Sequence, residues 1–174
     1  MPDLHPSTSR RASQAGFTLP ELMVTLAILG IMVGVAIPSV LAWMPGIYLK
    51  DAARDLKGGV IRARSLAINE GVEHRLVLGS ADDTYRIERG NLTSGSTVWT
   101  SVRGPFPLGN GISVSATTPG IEMSGTDPVL TFGINGSVET NLDTVEVTLE
   151  NSDAHTYLLG VVRRTGHPAI TKGP

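Results

Sequence analysis

The sequence contains no cysteine. That absence excludes a disulfide framework, thiolate ligation of a metal and a cysteine nucleophile together. An excess of charge is missing too, since 14 Lys and Arg stand against 16 Asp and Glu. The chain therefore lacks the basic balance of a general nucleic-acid binder. There is no internal repeat and no low-complexity tract. With 174 residues the chain is long enough for one compact domain and an appendage, and too short for two large domains. Aromatic residues are scarce, whereas 20 Gly and 11 Pro predict many turns, and hence much β structure or loop.

Signatures of chemistry are also absent. His74, His155 and His167 are scattered, with no carboxylate at metal-ligand spacing, and are expected at the surface or on strand faces. Gly109-Asn110-Gly111 lacks the Lys-Ser/Thr and helix start of a phosphate loop. No Gly-x-Ser-x-Gly elbow occurs, and Ser65 falls in a predicted helix. Asp82-Asp83 reads as part of a tight turn. These features predict neither catalysis nor a cofactor nor a metal.

What is present begins near the N-terminus. No charged side chain stands between Glu21 and Lys50, and the centre of that run, Leu22 to Pro38, is almost wholly apolar. About 20 apolar residues in a helix cross the roughly 30 Å hydrocarbon core of a bilayer. A remainder this small could not bury a helix that is apolar on every side, so the segment predicts a membrane span. Arg10 and Arg11 precede it, which favours a cytoplasmic N-terminus. The run is about twice the length of the apolar region in an ordinary cleaved signal peptide.

At the junction of the polar leader and the apolar run stands Gly16-Phe17-Thr18-Leu19-Pro20-Glu21-Leu22. It resembles the type IV prepilin signal. The resemblance implies that a prepilin peptidase cuts between Gly16 and Phe17 and that the new N-terminal Phe17 is N-methylated. It also gives Glu21 the family's acidic position, required for assembly, and Pro38 the helix-bending proline. Pro20 departs from the pattern, where Ile or Leu is commoner, but proline is tolerated in a first helical turn. The physics agrees with the resemblance at two points. Glycine passes an extended backbone through a narrow cleft, and a carboxylate at the edge of hydrocarbon needs a cation, such as the amine freed at Phe17. Gly30 and Gly34 form a Gly-x-x-x-Gly pair that permits close helix approach.

Past Pro38 and Pro45-Gly46 the pattern turns amphipathic: Leu49, Ala53, Leu56, Val60, Ala63 and Ala67 recur at three- and four-residue spacing. The spacing predicts helix from about Thr18 to about Asn69, weakened at Gly58-Gly59 and capped by Gly71. From Val72 the period becomes two. Glu73–Leu78 and Thr84–Arg89 predict a hairpin, followed by strands at Thr97–Val102, Ile112–Ala116, Val129–Phe132, Thr144–Leu149 and Thr156–Arg163, with a loop over residues 90–97. The expected core of this head is Leu76, Leu78, Tyr85, Ile87, Val98, Ile112, Val114, Leu130, Phe132, Val145, Val147, Leu149, Leu158 and Val161.

Ala63-Arg64-Ser65-Leu66-Ala67-Ile68 leading into Val72–Leu78 is similar to the GspH/FimT group of minor pilins and pseudopilins, including type II secretion minor pseudopilin H. Phe132-Gly-Ile-Asn-Gly136 and Thr165-Gly166 resemble that group's turns. The fold so implied is α+β and pilin-like: a long N-terminal helix, membrane-spanning in its first half, packed on an antiparallel β-rich head. The expected divisions are a leader at 1–16, a transmembrane and assembly helix at 17–43, an amphipathic periplasmic helix at 44–70 and the head at 71–174. The implied function is a structural subunit of a type II secretion pseudopilus or a type IV pilus, anchored in the bacterial inner membrane with its head in the periplasm. The implied partners are prepilin peptidase and other pilins or pseudopilins. The alternative is a minor pilin that binds DNA for uptake through Arg163, Arg164 and Lys172. Some members carry Gly-Arg-x-Arg for that purpose; this chain has Gly166-His167-Pro168-Ala169, so DNA is not an expected partner.

Overall fold

The computed structural model describes residues 16–109, 111–116, 118–119 and 121–173. The expected leader therefore lies outside the described residues except for Gly16, as do Arg10, Arg11 and Asn110. The chain divides into two units, Met1–Leu41 and Ala42–Pro174. One helix, α1 (Leu19–Glu70), contributes to both. Nine strands follow: β1 (His74–Gly79), β2 (Thr84–Gly90), β3 (Trp99–Pro107), β4 (Ile112–Ala116), β5 (Met123–Ser124), β6 (Asp127–Phe132), β7 (Thr144–Asn151), β8 (Thr156–Val162) and β9 (His167–Lys172).

Local chemistry sets the ends of α1. Its first hydrogen bond runs from the Leu22 N–H to the Thr18 carbonyl at 3.1 Å. Glu21 lies in the first turn, where negative charge opposes the positive end of the helix dipole. Pro20 sits in the same turn, where its missing N–H has no partner to lose. Gly71 ends the helix at φ +65°, a left-handed conformation that side chains resist, and its N–H closes on the Ala67 carbonyl at 3.1 Å. The helix was expected over 18–69 and is found one residue later at each end.

In the second unit, Leu49, Ala53, Leu56, Val60, Ala63 and Ala67 are wholly buried. They share one apolar core with Leu76, Leu78 and Ile87 from one sheet and Val145, Val147 and Leu149 from the other. The first sheet has the order β3-β2-β1-β6-β5 and the second β4-β7-β8-β9, every pairing antiparallel. The Gly/Ser-rich loop after β2 is held by hydrogen bonds. The buried Glu73 carboxylate accepts the Gly95 and Ser96 N–H groups at 2.8 and 2.7 Å, and the Asn91 side-chain oxygen accepts those of Thr97 and Val98.

Three expectations for the head need correction. Val98 is not core: it precedes β3 and is 59% exposed. Leu158 is only half-buried, and its neighbour Leu159 takes the core position in phase with Val161. Two strands, β5 and β9, appear where none was expected. β9 contains Pro168, which a strand tolerates only where its missing N–H is not needed, and β9 is an edge strand.

Candidate assembly segment and the junction of the head motifs

Gly16, Phe17 and Thr18 precede α1 in extended or irregular backbone. An added Cβ at Gly16 would meet nothing within 4 Å, and Phe17 is 82% exposed. From Leu19 to Val40 the helix is predominantly apolar, with Glu21 its one charged residue, a mean hydropathy of 2.3 and no part of it buried. At 1.5 Å per residue those 22 residues extend about 33 Å, enough to cross the hydrocarbon of a bilayer. Side chains such as Leu26, Ile31 and Val35 are more than half exposed on all sides of the helix. Such a surface is not stable in water and requires lipid or apolar protein around it. Glu21 has no ion pair among the described residues. Pro38 and Pro45-Gly46 lie inside α1, which runs on through all three.

In the head, the three segments quoted for their family likeness meet at one point. The Arg64 Nε donates to the Gly136 carbonyl oxygen at 3.1 Å, across 72 residues of sequence. Gly136 has φ +78° and Gly166 has φ +59°, so both turns use the left-handed conformation that favours glycine. A Cβ on Gly136 would come within 2.8 Å of Ile68 Cδ1 and 2.9 Å of Arg64 Nε. A Cβ on Gly166 would run into the Gly136 carbonyl oxygen and come within 2.9 Å of Arg64 Cδ. The guanidinium stem of α1 thus lies over two glycine turns that only glycine allows to approach so closely. The resemblance pointed to these segments separately. Their convergence on Arg64 was not anticipated, because nothing in a linear pattern says that two turns 30 residues apart face one helix.

The prokaryotic N-terminal methylation motif matches residues 11–37. The structure is similar to that of the minor pseudopilin EpsH from the type 2 secretion system of Vibrio cholerae, with a TM-score of 0.50 at 11% identity over 71% of this chain and 94% of that one. It is equally similar to the type IV minor pilin FimU of Pseudomonas aeruginosa, with a TM-score of 0.50 at 18% identity over 72% of this chain and 88% of that one. The fold is pilin-like. No curated protein matches the sequence significantly.

Within this pilin-like head the residues considered for DNA do not form one cluster. β8 and β9 are antiparallel, with Val162 opposite His167 and Tyr157 opposite Lys172. Arg163 and Arg164 therefore lie at one end of the hairpin and Lys172 at the other, about 20 Å away at 3.3 Å per residue. Arg163 faces Asp143, its Nη2 lying 3.6 Å from a carboxylate oxygen. His74, expected on a surface or strand face, is wholly buried, with Nδ1 3.0 Å from the Val72 carbonyl oxygen. Among the described residues no group of three His, Asp or Glu is placed to hold a metal ion.

Two polar arrangements stiffen the pilin-like head. On the first sheet, Glu88 accepts from Arg75 and Arg86 at 2.7 and 2.8 Å, and the Arg75 guanidinium lies 4.2 Å from the Trp99 ring centroid. Burial alone would raise the Glu88 carboxyl. The hydrogen bonds and charges of Arg86 and Arg75 outweigh it and hold the group below the ordinary carboxylate range. Against α1, the Tyr85 ring packs on Phe106 at 5.2 Å, and its hydroxyl donates to the Asp55 carbonyl at 3.4 Å. Burial, with the Asp55 charge adding to it, raises the Tyr85 hydroxyl above its usual range.

Proposed function

We propose that this chain is a minor pilin or pseudopilin, a structural subunit rather than an enzyme, that assembles into a type II secretion pseudopilus or a type IV pilus. The observation that carries the proposal is the methylation motif running into an exposed apolar helix ahead of a pilin-like head. Residues 1–16 act as the leader, 17–43 anchor the chain in the inner membrane and carry assembly, 44–70 belong to the periplasmic helix and 71–174 form the head. Prepilin peptidase cuts between Gly16 and Phe17, and the amine of Phe17 is then methylated. Glu21 places a carboxylate at the edge of hydrocarbon, where an unpaired charge is costly. The Phe17 amine of a neighbouring subunit neutralises it as the helices come together. Pro38 bends the helix where the span ends.

Mass spectrometry of membrane-extracted protein tests the proposal. The expected chain begins at Phe17 and is heavier by one methyl group. Gly16→Val is expected to leave the uncut precursor in the membrane. Glu21→Ala is expected to be cut normally yet to be lost from assemblies purified with partner pilins. An intact Met1 terminus in a host with active prepilin peptidase rejects the proposal.

A further inference from the structure

Strand β8 reads Thr156-Tyr-Leu-Leu-Gly-Val-Val162, apolar at successive positions rather than at alternate ones. Such a run belongs to a strand covered on both faces. Here one face is covered: Leu159 and Val161 are wholly buried in the core, while Leu158, Gly160 and Val162 point outward. Cross-strand pairing places Glu146 and Ala169 on either side of Gly160, and Thr148 and Thr171 on either side of Leu158. The absence of a side chain at Gly160 leaves a trough of about 290 Å³, floored by Gly160 and Ala169 and walled by Leu158, Val162 and Thr171. An added Cβ at Gly160 would meet only Thr144 Cγ2, at an ordinary 3.6 Å, so the room is not taken by the chain's own packing.

Glu146 is the only charged residue lining this trough, and the charged side chains at the outward strand positions of the sheet have one sign. Of the outward positions on β4, β7, β8 and β9, Glu146 and Glu150 carry carboxylates, and none carries Lys or Arg. Both carboxylates are exposed, and neither has an ion pair among the described residues. A second copy docked through the same face is a poor occupant, because two such faces would oppose four carboxylates. The complementary partner carries positive charge around an apolar side chain small enough for the trough.

We propose that the outer face of the β4-β7-β8-β9 sheet, centred on the Gly160 trough, is the docking surface for a different pilin-like subunit that inserts an apolar side chain flanked by Lys or Arg. The proposal rests on the subunit function proposed above and adds which face of the head makes the contact and with what chemistry. It is separate from the N-terminal helix, so heads are held together by a contact distinct from that between helices.

The test uses the full chain in its native membranes with a photo-reactive benzophenone residue at Thr171, at the trough wall. The expected result is a cross-link to another subunit bearing an N-terminal methylation motif, at a peptide containing an apolar residue next to Lys or Arg. Gly160→Val fills the trough with a side chain that suits a strand and is expected to reduce the cross-link at least tenfold without lowering the thermal midpoint of the head. Glu146→Lys, at an exposed position, is expected to reduce it as well and decides the matter should Gly160→Val fail to fold. Cross-links only to a second copy, none at all in correctly cut chain, or a yield unchanged by both substitutions overturn the proposal. A chain left uncut at Gly16 instead overturns the subunit function, so the two failures are distinguishable.

Discussion

Adjacent glycines in α1 make opposite demands on a side chain. Gly58 is exposed with open space around it, while a Cβ on Gly59 would lie 2.7 Å from Tyr85 Cε2, in a ring already fixed against Phe106. Gly58→Ala is expected to stabilise the 42–174 unit by up to about 1 kcal/mol through helix propensity. Gly59→Ala is expected to destabilise it by about 1–3 kcal/mol, because overpacking must displace the ring. Urea unfolding of the two variants side by side checks both signs. Glu88 gives a pH-dependent expectation. Its folded-state carboxyl lies below its unfolded value of roughly 4.3, so its contribution is fully present above that value and is lost as pH falls through the lower, folded value. Stability measured between pH 7 and pH 2 should therefore decline less steeply at the acid end in Glu88→Gln. That variant should also be less stable at pH 7 by about 1–3 kcal/mol, the cost of weakening buried charge-assisted hydrogen bonds.

At the scale of elements, α1 was legible in the sequence almost to the residue, because its apolar spacing and its terminal Gly71 are both local signals. The strands were legible where alternation was clean, as in β2 and β7. They were obscured where it was not. β8 is apolar at consecutive positions, so the choice between Leu158 and Leu159 had no local arbiter; only pairing with β7 and β9 sets the phase. β9 was hidden by Pro168, and β5 by having only two residues. The candidate assembly segment is carried entirely by contiguous residues and could be read directly. The Arg64 junction could not, since its members belong to three elements far apart in sequence. A prediction follows at this scale. Gly166→Ala must reshape a left-handed turn and move the Gly136 carbonyl, and is expected to cost more than Gly71→Ala, which faces open space at the helix end. Gly71→Ala should cost about 1 kcal/mol; thermal midpoints rank the two.

For the molecule as a whole, residues 42–70 share one core with both sheets, so the 42–174 unit is expected to unfold in a single transition with coincident helical and tertiary signals. Two separated transitions would mean that the helix detaches first. The same unit is expected to bind DNA no tighter than the non-specific range of about 10⁻⁴ to 10⁻⁶ M, and ever more weakly as salt rises, because Arg163 and Arg164 are separated from Lys172 at opposite hairpin ends. A gel-shift titration at two ionic strengths measures this. The Arg64 junction also carries a meaning in time. Synthesis delivers Arg64 long before Gly136 and Gly166, and the β1–β6 ladder likewise waits for a distant strand. The part of α1 after residue 42 therefore lacks the sheets that complete its core until late in synthesis. The last turn to emerge, at Gly166, is what completes the fold, so a chain cut short before it leaves Arg64 facing half a junction.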